Sequence, residues 1–134
     1  LLNQKIDTFS INFWWDIRIK WERDIKLENP NNNTKIIWNL LLKNWSISSS
    51  SGNKRKFWEN NHLINPKNKQ STSDIEAIFI QHNLTAFSDI FATALYVSPL
   101  EKSIEILSSI SWLEWMIIDK KWRVYKSNWF ELKL

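Results

Sequence analysis

The sequence has no cysteine and a single glycine, Gly52, among its 134 residues. Without cysteine the chain has no disulfide, no thiolate nucleophile and no cysteine-ligated zinc or iron–sulfur site. One glycine excludes the glycine-rich loops that hold phosphates in Walker and dinucleotide-binding motifs. There is no run of eighteen apolar residues, so no segment is expected to span a membrane as a helix. The lack of cysteine favours a reducing compartment and leaves the localisation otherwise unknown.

Tryptophan, in contrast, is abundant, with ten copies in the chain. Its side chain combines a large apolar area with one N–H group, so it is frequent in cores, interfaces and base-stacking surfaces. The abundant lysine and asparagine are typical of an AT-rich genome, which weakens the lysine count as a functional signal. The length, with 43% hydrophobic and 24% charged residues, predicts a single globular domain over residues 1–134.

Charge is unevenly distributed along the chain, whose net charge is +4. Residues 29–72 carry seven basic and one acidic side chain, a net of +6. Residues 73–110 carry one basic and five acidic side chains, a net of −4. This separation predicts a basic face beside an acidic face.

The N-terminal segment alternates apolar and polar residues with period two, the pattern of a strand with one buried face. It predicts one long strand with a bulge near Trp14 and Trp15. Its apolar positions are Phe9, Ile11, Phe13, Trp15, Ile17, Ile19, Trp21, Ile25 and Leu27.

The next segments are less clear. A turn cluster at 29–33 ends the first strand, and residues 35–47 fit either an alternating strand or a helix stripe. We favour a strand that returns along the first. Residues 48–72 contain serines, Gly52 and a group of basic residues, and they predict a basic flexible loop.

Two capping-box sequences, Ser73–Glu76 and Ser98–Glu101, mark helix starts. With the apolar spacing between and after them, they predict helices near 74–82, 85–97 and 99–110. The C-terminal segment predicts strands over 112–118, 122–125 and 129–134, with a tight turn at Asp119. The predicted fold class is therefore α+β, a mostly antiparallel sheet packed against two or three central helices.

Evidence for catalysis in the sequence is weak. Neither His62 nor His82 has a metal-ligating neighbour at helical spacing. Glu131 and Lys133, with Asp119 upstream, resemble a short pattern of metal-dependent nucleases of the PD-(D/E)xK type. An exposed edge strand explains the same residues equally well. The sequence thus predicts no catalytic residue, no metal and no cofactor, and a protein that is not an enzyme.

Binding is the better-supported function class. A small interior is not expected to bury every tryptophan, so we predict protein-partner contacts at Trp14, Trp58 and Trp129. The basic loop places cations beside aromatic rings, as nucleic-acid binding requires. The predicted nucleic-acid contacts are Lys54, Arg55, Lys56, Phe57, Trp58, Lys67 and Lys69.

The first hypothesis is a non-enzymatic binding or assembly domain, a subunit or accessory factor of a larger complex. The alternative is an RNA-binding, ribosome-associated module. The third is a domain that holds a small apolar ligand in a cavity lined by Trp112, Trp115 and Trp122.

Overall fold

The protein is built in three layers, with a six-stranded sheet between two helices and a smaller, three-stranded sheet. The computed structural model describes residues 9–13, 16–52, 56–57, 60–71 and 74–133. Every strand pairing among these residues is antiparallel. This confirms the predicted α+β fold class.

The six-stranded sheet has the order β1-β2-β5-β8-β9-β10. Its strands are β1 (Phe9–Phe13), β2 (Asp16–Lys20), β5 (Ser46–Ser51), β8 (Ile75–His82), β9 (Glu114–Asp119) and β10 (Val124–Lys126). The smaller sheet has the order β11-β4-β3, from β3 (Glu22–Asn29), β4 (Asn32–Lys43) and β11 (Leu132–Lys133). Two short strands, β6 (Lys56–Phe57) and β7 (Asn60–Asn61), pair with each other.

The long N-terminal strand expected from the alternation is three strands in two sheets. β1 pairs with β2 in the larger sheet, whereas β3 belongs to the smaller one. The chain changes sheet at Trp21, whose φ of 94° interrupts the extended backbone. Ile19 is therefore buried while Ile11 and Trp21 are 52% and 65% exposed. Trp14 and Trp15, where we expected a bulge, lie outside the described residues.

Two cores lie on the two faces of the larger sheet. Strand β8 runs between them and is buried from Ile75 to Gln81. Its Ile78 and Ile80 pack towards the helices, and Phe79 packs towards the smaller sheet. A strand covered on both faces has no polar side and so loses the alternation by which strands are recognised.

This explains why the predicted helix at 74–82 is wrong: that segment is β8. The other two helices are confirmed as α1 (Thr85–Tyr96) and α2 (Leu100–Ser108). Helix α1 begins after Leu84 without a side-chain cap, and it packs on β5 and β8. Among the described residues, neither helix is long and apolar enough to cross a membrane.

The loop predicted at 48–72 is wrong at its start, because β5 extends to Ser51 within the larger sheet. Farther on, Ile64 and Ser71 form an isolated bridge. Asn65 Nδ2 donates a hydrogen bond of 3.0 Å to the carbonyl of Val97, just after α1. The segment that carries His62 is thus connected to the helical layer.

Candidate functional site

A cleft of about 620 Å³ is lined by both sheets, by α1 and by the segment before the Ile64 bridge. Its volume falls within the range of small-molecule sites, roughly 300–1,000 Å³. Three groups of side chains carry its chemistry: hydroxyls from β5, polar residues of α1 with His62, and charged residues of β3.

The β5 wall consists of Ser49, Ser50 and Ser51. Serine is small, so this strand leaves room beside it, and each hydroxyl can donate one hydrogen bond and accept others. Gly52 follows directly, is buried, and its backbone N–H lies close enough to the Tyr96 hydroxyl to lower the pKa of that group. The end of β5 is therefore close to the end of α1.

Helix α1 contributes Asp89 and Thr93, which lie one turn apart and share a face. Thr93 Oγ1 lies 3.5 Å from Ser50 Oγ, which joins the helix wall to the β5 wall. His62 lines the same cleft. An imidazole and a carboxylate thus border one space, and both are groups that can move a proton.

Behind these residues, β5 and α1 are joined by a hydroxyl layer made of Ser46, Ser48, Ser50, Ser88 and Thr93. Ser88 Oγ lies 2.9 Å from Ser48 Oγ and 3.1 Å from Ser46 Oγ. Ser46, Ser48 and Ser88 are almost fully buried. Buried hydroxyls need hydrogen-bond partners. Ser48 Oγ donates to Ser88 Oγ, while Ser46 and Ser88 donate to the carbonyls of His82 and Thr85.

Asp16 extends this layer to β2. It pairs with Ser48 in the β2–β5 register. Burial raises the pKa of the Asp16 carboxyl, the hydrogen bond with Ser48 lowers it, and the charge of Asp89 raises it. The net effect is an aspartate whose pKa lies above its usual range.

The β3 wall carries charges of both signs, from Arg23 to Glu28. The carboxylate of Asp24 accepts a hydrogen bond of 2.7 Å from Lys133 Nζ on β11. Arg23 and Lys26 are exposed and can meet an anionic group of a ligand. Leu27 and Phe79 add apolar surface to the same cleft.

No group of three or more histidine, aspartate and glutamate side chains in the described parts of the chain is placed to hold a metal ion. The cleft therefore offers hydroxyls, an imidazole, a carboxylate and basic groups. This arrangement can bind a partly apolar molecule with hydroxyl and anionic groups, and can transfer a proton to or from it.

Of the residues predicted to bind partners or nucleic acid, the three whose side chains the structure describes, Lys67, Lys69 and Trp129, do not line this cleft. Trp14, Trp58, Lys54 and Arg55 lie outside the described residues, and only the backbone of Lys56 and Phe57 is described, as β6. Lys67 and Lys69 are exposed, and Trp129 is 77% exposed. Whether Trp129 contacts another molecule stays a prediction.

The other candidates are not assembled into a site either. Trp115 is buried in the core, whereas Trp112 and Trp122 are 48% and 43% exposed, and none of them lines the cleft. The nuclease-like residues take part in separate contacts. Asp119 accepts a hydrogen bond from Arg123 in the β9–β10 turn, and Lys133 donates one to Asp24.

The cleft residues that sequence reasoning missed had faint signals. His62 lies in a segment without regular structure. Asp89 and Thr93 are polar residues four apart on a helix that is otherwise largely apolar, which was a usable signal. The serine run at 48–51 has the composition of a loop, although it lies in β5 and its last three residues line the cleft.

The comparisons with known proteins bear on this cleft. The ApbE family model matches residues 3–117, most of the chain, so the chain belongs to the ApbE family. No curated protein sequence matches it.

Solved structures share the fold at low identity. The ApbE protein of Thermotoga maritima has a TM-score of 0.79 and 17% identity, over 90% of this chain and 43% of its own. The flavin transferase ApbE of Vibrio cholerae has a TM-score of 0.78 and 17% identity, over 96% of this chain and 45% of its own. The flavinyl transferase ApbE of Pseudomonas stutzeri has a TM-score of 0.70 and 13% identity, over 92% of this chain and 44% of its own. The chain thus spans less than half the length of the structures it matches.

These findings correct the functional predictions. A non-enzymatic assembly domain, an RNA-binding module and an apolar-ligand domain are wrong, as is the prediction that the protein is not an enzyme, because the chain belongs to the ApbE family. Two of the similar solved structures are named as flavin or flavinyl transferases. The tryptophan content does not point to the cleft, because most described tryptophans pack in or around the cores or lie singly on the surface.

Proposed function

We propose that this member of the ApbE family binds a flavin nucleotide in the cleft between β3, β5 and α1 and takes part in flavin transfer. The observation that carries the proposal is the convergence of His62, Asp89 and the β5 hydroxyls on one cleft in a chain of this family. The similar structures named as flavin transferases support the choice of ligand.

The cleft fits the chemistry of a flavin nucleotide. Such a ligand has a flat, largely apolar ring system, a hydroxylated chain and anionic phosphate, and it supplies the group that is transferred. Leu27 and Phe79 offer apolar contact, and the serines of β5 offer hydrogen bonds to hydroxyl groups. Arg23 and Lys26 offer cationic contacts to phosphate.

The ionisable pair in the cleft suits a group transfer. When an acceptor attacks, its proton must leave as the new bond forms, and the departing group must be stabilised. We assign His62 as the proton acceptor, because imidazole exchanges a proton near neutral pH. Asp89 and Thr93 orient polar groups of the ligand from the helix side.

The chain spans less than half of each similar structure. The proposal for the chain itself is therefore flavin binding through this part of the site. Transfer is proposed for the assembled family fold, to which the chain contributes the residues named above.

Flavin binding can be tested directly with the 134-residue chain. We expect riboflavin, flavin mononucleotide and flavin adenine dinucleotide to show saturable changes in flavin fluorescence. Arg23→Ala should weaken the binding of the two phosphorylated flavins by roughly tenfold and the binding of riboflavin much less. The reason is that a charge-assisted hydrogen bond contributes about 1.5–3 kcal/mol.

The matched control is Lys102→Ala, which removes an exposed cation that pairs with Glu105 on α2, outside the cleft. It should leave the affinity for all three flavins unchanged. Absence of saturable binding, or equal losses in the Arg23 and Lys102 variants, would contradict the proposal.

A further inference from the structure

The exposed side of helix α1 is apolar, whereas the exposed side of α2 is charged. The α1 outer face consists of the exposed residues of this helix that do not line the cleft: Ala86, Phe87, Ile90 and Ala94. Ile90, at its centre, is 61% exposed. On α2 the exposed side carries Glu101, Lys102 and Glu105 instead.

The buried side of α1 is mainly apolar as well, with Ala92, Leu95 and Tyr96 in the core below the larger sheet. A helix that is apolar on all sides is normally covered on all sides. In the single chain, however, only one side of α1 is covered. The α1 outer face is therefore expected to contact a further molecule.

The apolar surface continues beyond the helix. Trp112 is 48% exposed, and its ring centroid lies 5.9 Å from that of Phe87 and 5.8 Å from that of Phe91. Leu84, directly before α1, is exposed too. A contiguous exposed apolar surface marks a site of interaction, whereas single exposed apolar side chains do not.

The lack of basic residues indicates the class of partner. Helix α1 contains no lysine or arginine, and its one charged residue, Asp89, lines the cleft. Helices that bind membrane surfaces or nucleic acids present basic side chains to the anionic groups. The centre of a protein interface, in contrast, is depleted of charge and enriched in aromatic residues. The α1 outer face therefore suits a protein surface.

The spacing within the face identifies which protein. Ala86, Ile90 and Ala94 follow one another at intervals of four residues and form one ridge along the helix. This ridge is symmetric about Ile90, with an alanine one turn before it and another one turn after it. In a contact with two-fold symmetry, residue i meets residue j of the copy, and j meets i. Two antiparallel α1 helices centred on Ile90 satisfy this condition, because each Ala86 then meets the Ala94 of the other copy.

We propose that two copies of this chain associate through the α1 outer face, with their α1 helices antiparallel and crossing at Ile90. Alanine on either side of the crossing allows the two helices to approach closely. The face carries no charge, so two identical faces do not repel each other. The contact uses residues of α1 that do not line the cleft, so the proposal is independent of flavin binding.

The mass of the chain in solution tests the association, by light scattering and sedimentation velocity over a concentration series without flavin. The mass should rise with concentration towards twice the 16.1 kDa of one chain. Ile90→Lys places two cations beside each other at the crossing and should raise the dissociation constant by roughly a hundredfold or more.

The matched control is Ser108→Lys, which adds the same charge at an exposed position of α2, outside the face. It should dimerise like the wild type. Both substitutions are at exposed positions, so both variants should retain the fold, as circular dichroism will show. A wild-type chain that is monomeric at every concentration would overturn the proposal. So would an Ile90→Lys variant that dimerises like the wild type, or a Ser108→Lys variant that loses the dimer equally.

The absence of cysteine from the chain allows the geometry to be tested by disulfide cross-linking. Ile90→Cys lies at the proposed crossing and should form a covalent dimer under mild oxidation, whereas Ser108→Cys should not. Ala86→Cys mixed with Ala94→Cys should cross-link more efficiently than either variant alone, because the two positions meet across the two-fold axis. An Ala86→Cys variant that links to itself as efficiently as to Ala94→Cys would overturn the antiparallel contact.

Discussion

Trp21 and Asn44 hold each other at the two points where the chain crosses between the sheets. Asn44 N donates to Trp21 O at 2.6 Å, and Trp21 N donates to Asn44 Oδ1 at 2.7 Å. Both residues have positive φ, 94° for Trp21 and 52° for Asn44. Asparagine tolerates this region because of its short polar side chain, whereas tryptophan adopts it only where the surroundings impose it.

Loss of the Asn44 side chain should therefore destabilise the crossing. We expect Asn44→Ala to lower the free energy of unfolding by about 1–3 kcal/mol, from the lost hydrogen bond and the strained φ. Urea unfolding followed by tryptophan fluorescence measures this. Asn68→Ala is the control, because Asn68 Oδ1 also accepts a backbone hydrogen bond, from Gln70 N, but within one exposed turn. Equal effects of the two substitutions would contradict a special role for Asn44.

Two isoleucines of the alternating N-terminal run test the division of that run. Ile19 is 2% exposed in the core between the sheets, and Ile11 is 52% exposed on β1. Ile19→Ala should cost about 2–5 kcal/mol of stability, and Ile11→Ala should stay within roughly 0.5 kcal/mol of the wild type. The free energy of unfolding is measured in urea. Similar losses of stability at both positions would contradict the exposed position of Ile11.

The turn between β9 and β10 depends on the Asp119 carboxylate. Burial alone would raise the pKa of Asp119, but hydrogen bonds from the backbone and guanidinium of Arg123 and from Lys121 N lower it overall. A carboxyl whose pKa is lower in the folded than in the unfolded protein stabilises the fold at pH values above its unfolded pKa. This stabilisation is lost as the pH falls through its folded pKa.

We accordingly expect Asp119→Ala to cost about 1–2 kcal/mol near neutral pH. The difference from the wild type should shrink as the pH falls below about 4, where the unfolded carboxyl binds its proton. Thermal unfolding over a pH series checks this. A difference that stays constant with pH would show that the charge of Asp119 is not what stabilises the turn.

Tyr96 should titrate well above the ordinary tyrosine value as the pH is raised. Burial and the charge of Glu76 raise the pKa of Tyr96 to about 12, although the N–H of Gly52 opposes this shift. Because the unfolded value is about 10, the fold should lose stability as the pH rises from 10 towards 12. Tyrosinate absorbance measures the titration, and Tyr96→Phe should remove the late step. A late step that persists in Tyr96→Phe would assign it to Tyr125.

Local signals predicted part of this architecture well. The apolar stripe of α2 and the Pro99 start placed that helix within two residues of its observed bounds. The β9–β10 hairpin follows from apolar strands on either side of Asp119. The prediction of one long N-terminal strand is wrong, because alternation indicates that one face of a strand is buried but not which sheet covers that face.

The amino-acid sequence by itself determined the α+β class, the two helices and the C-terminal hairpin, since these depend on residues within a few positions of one another. Only the tertiary structure decided that residues 75–82 form a strand, because its two buried faces come from distant layers. The cleft is decided in the same way. Ser50, His62 and Asp89 come from three separate segments of the chain, and only the tertiary packing brings them to one cleft.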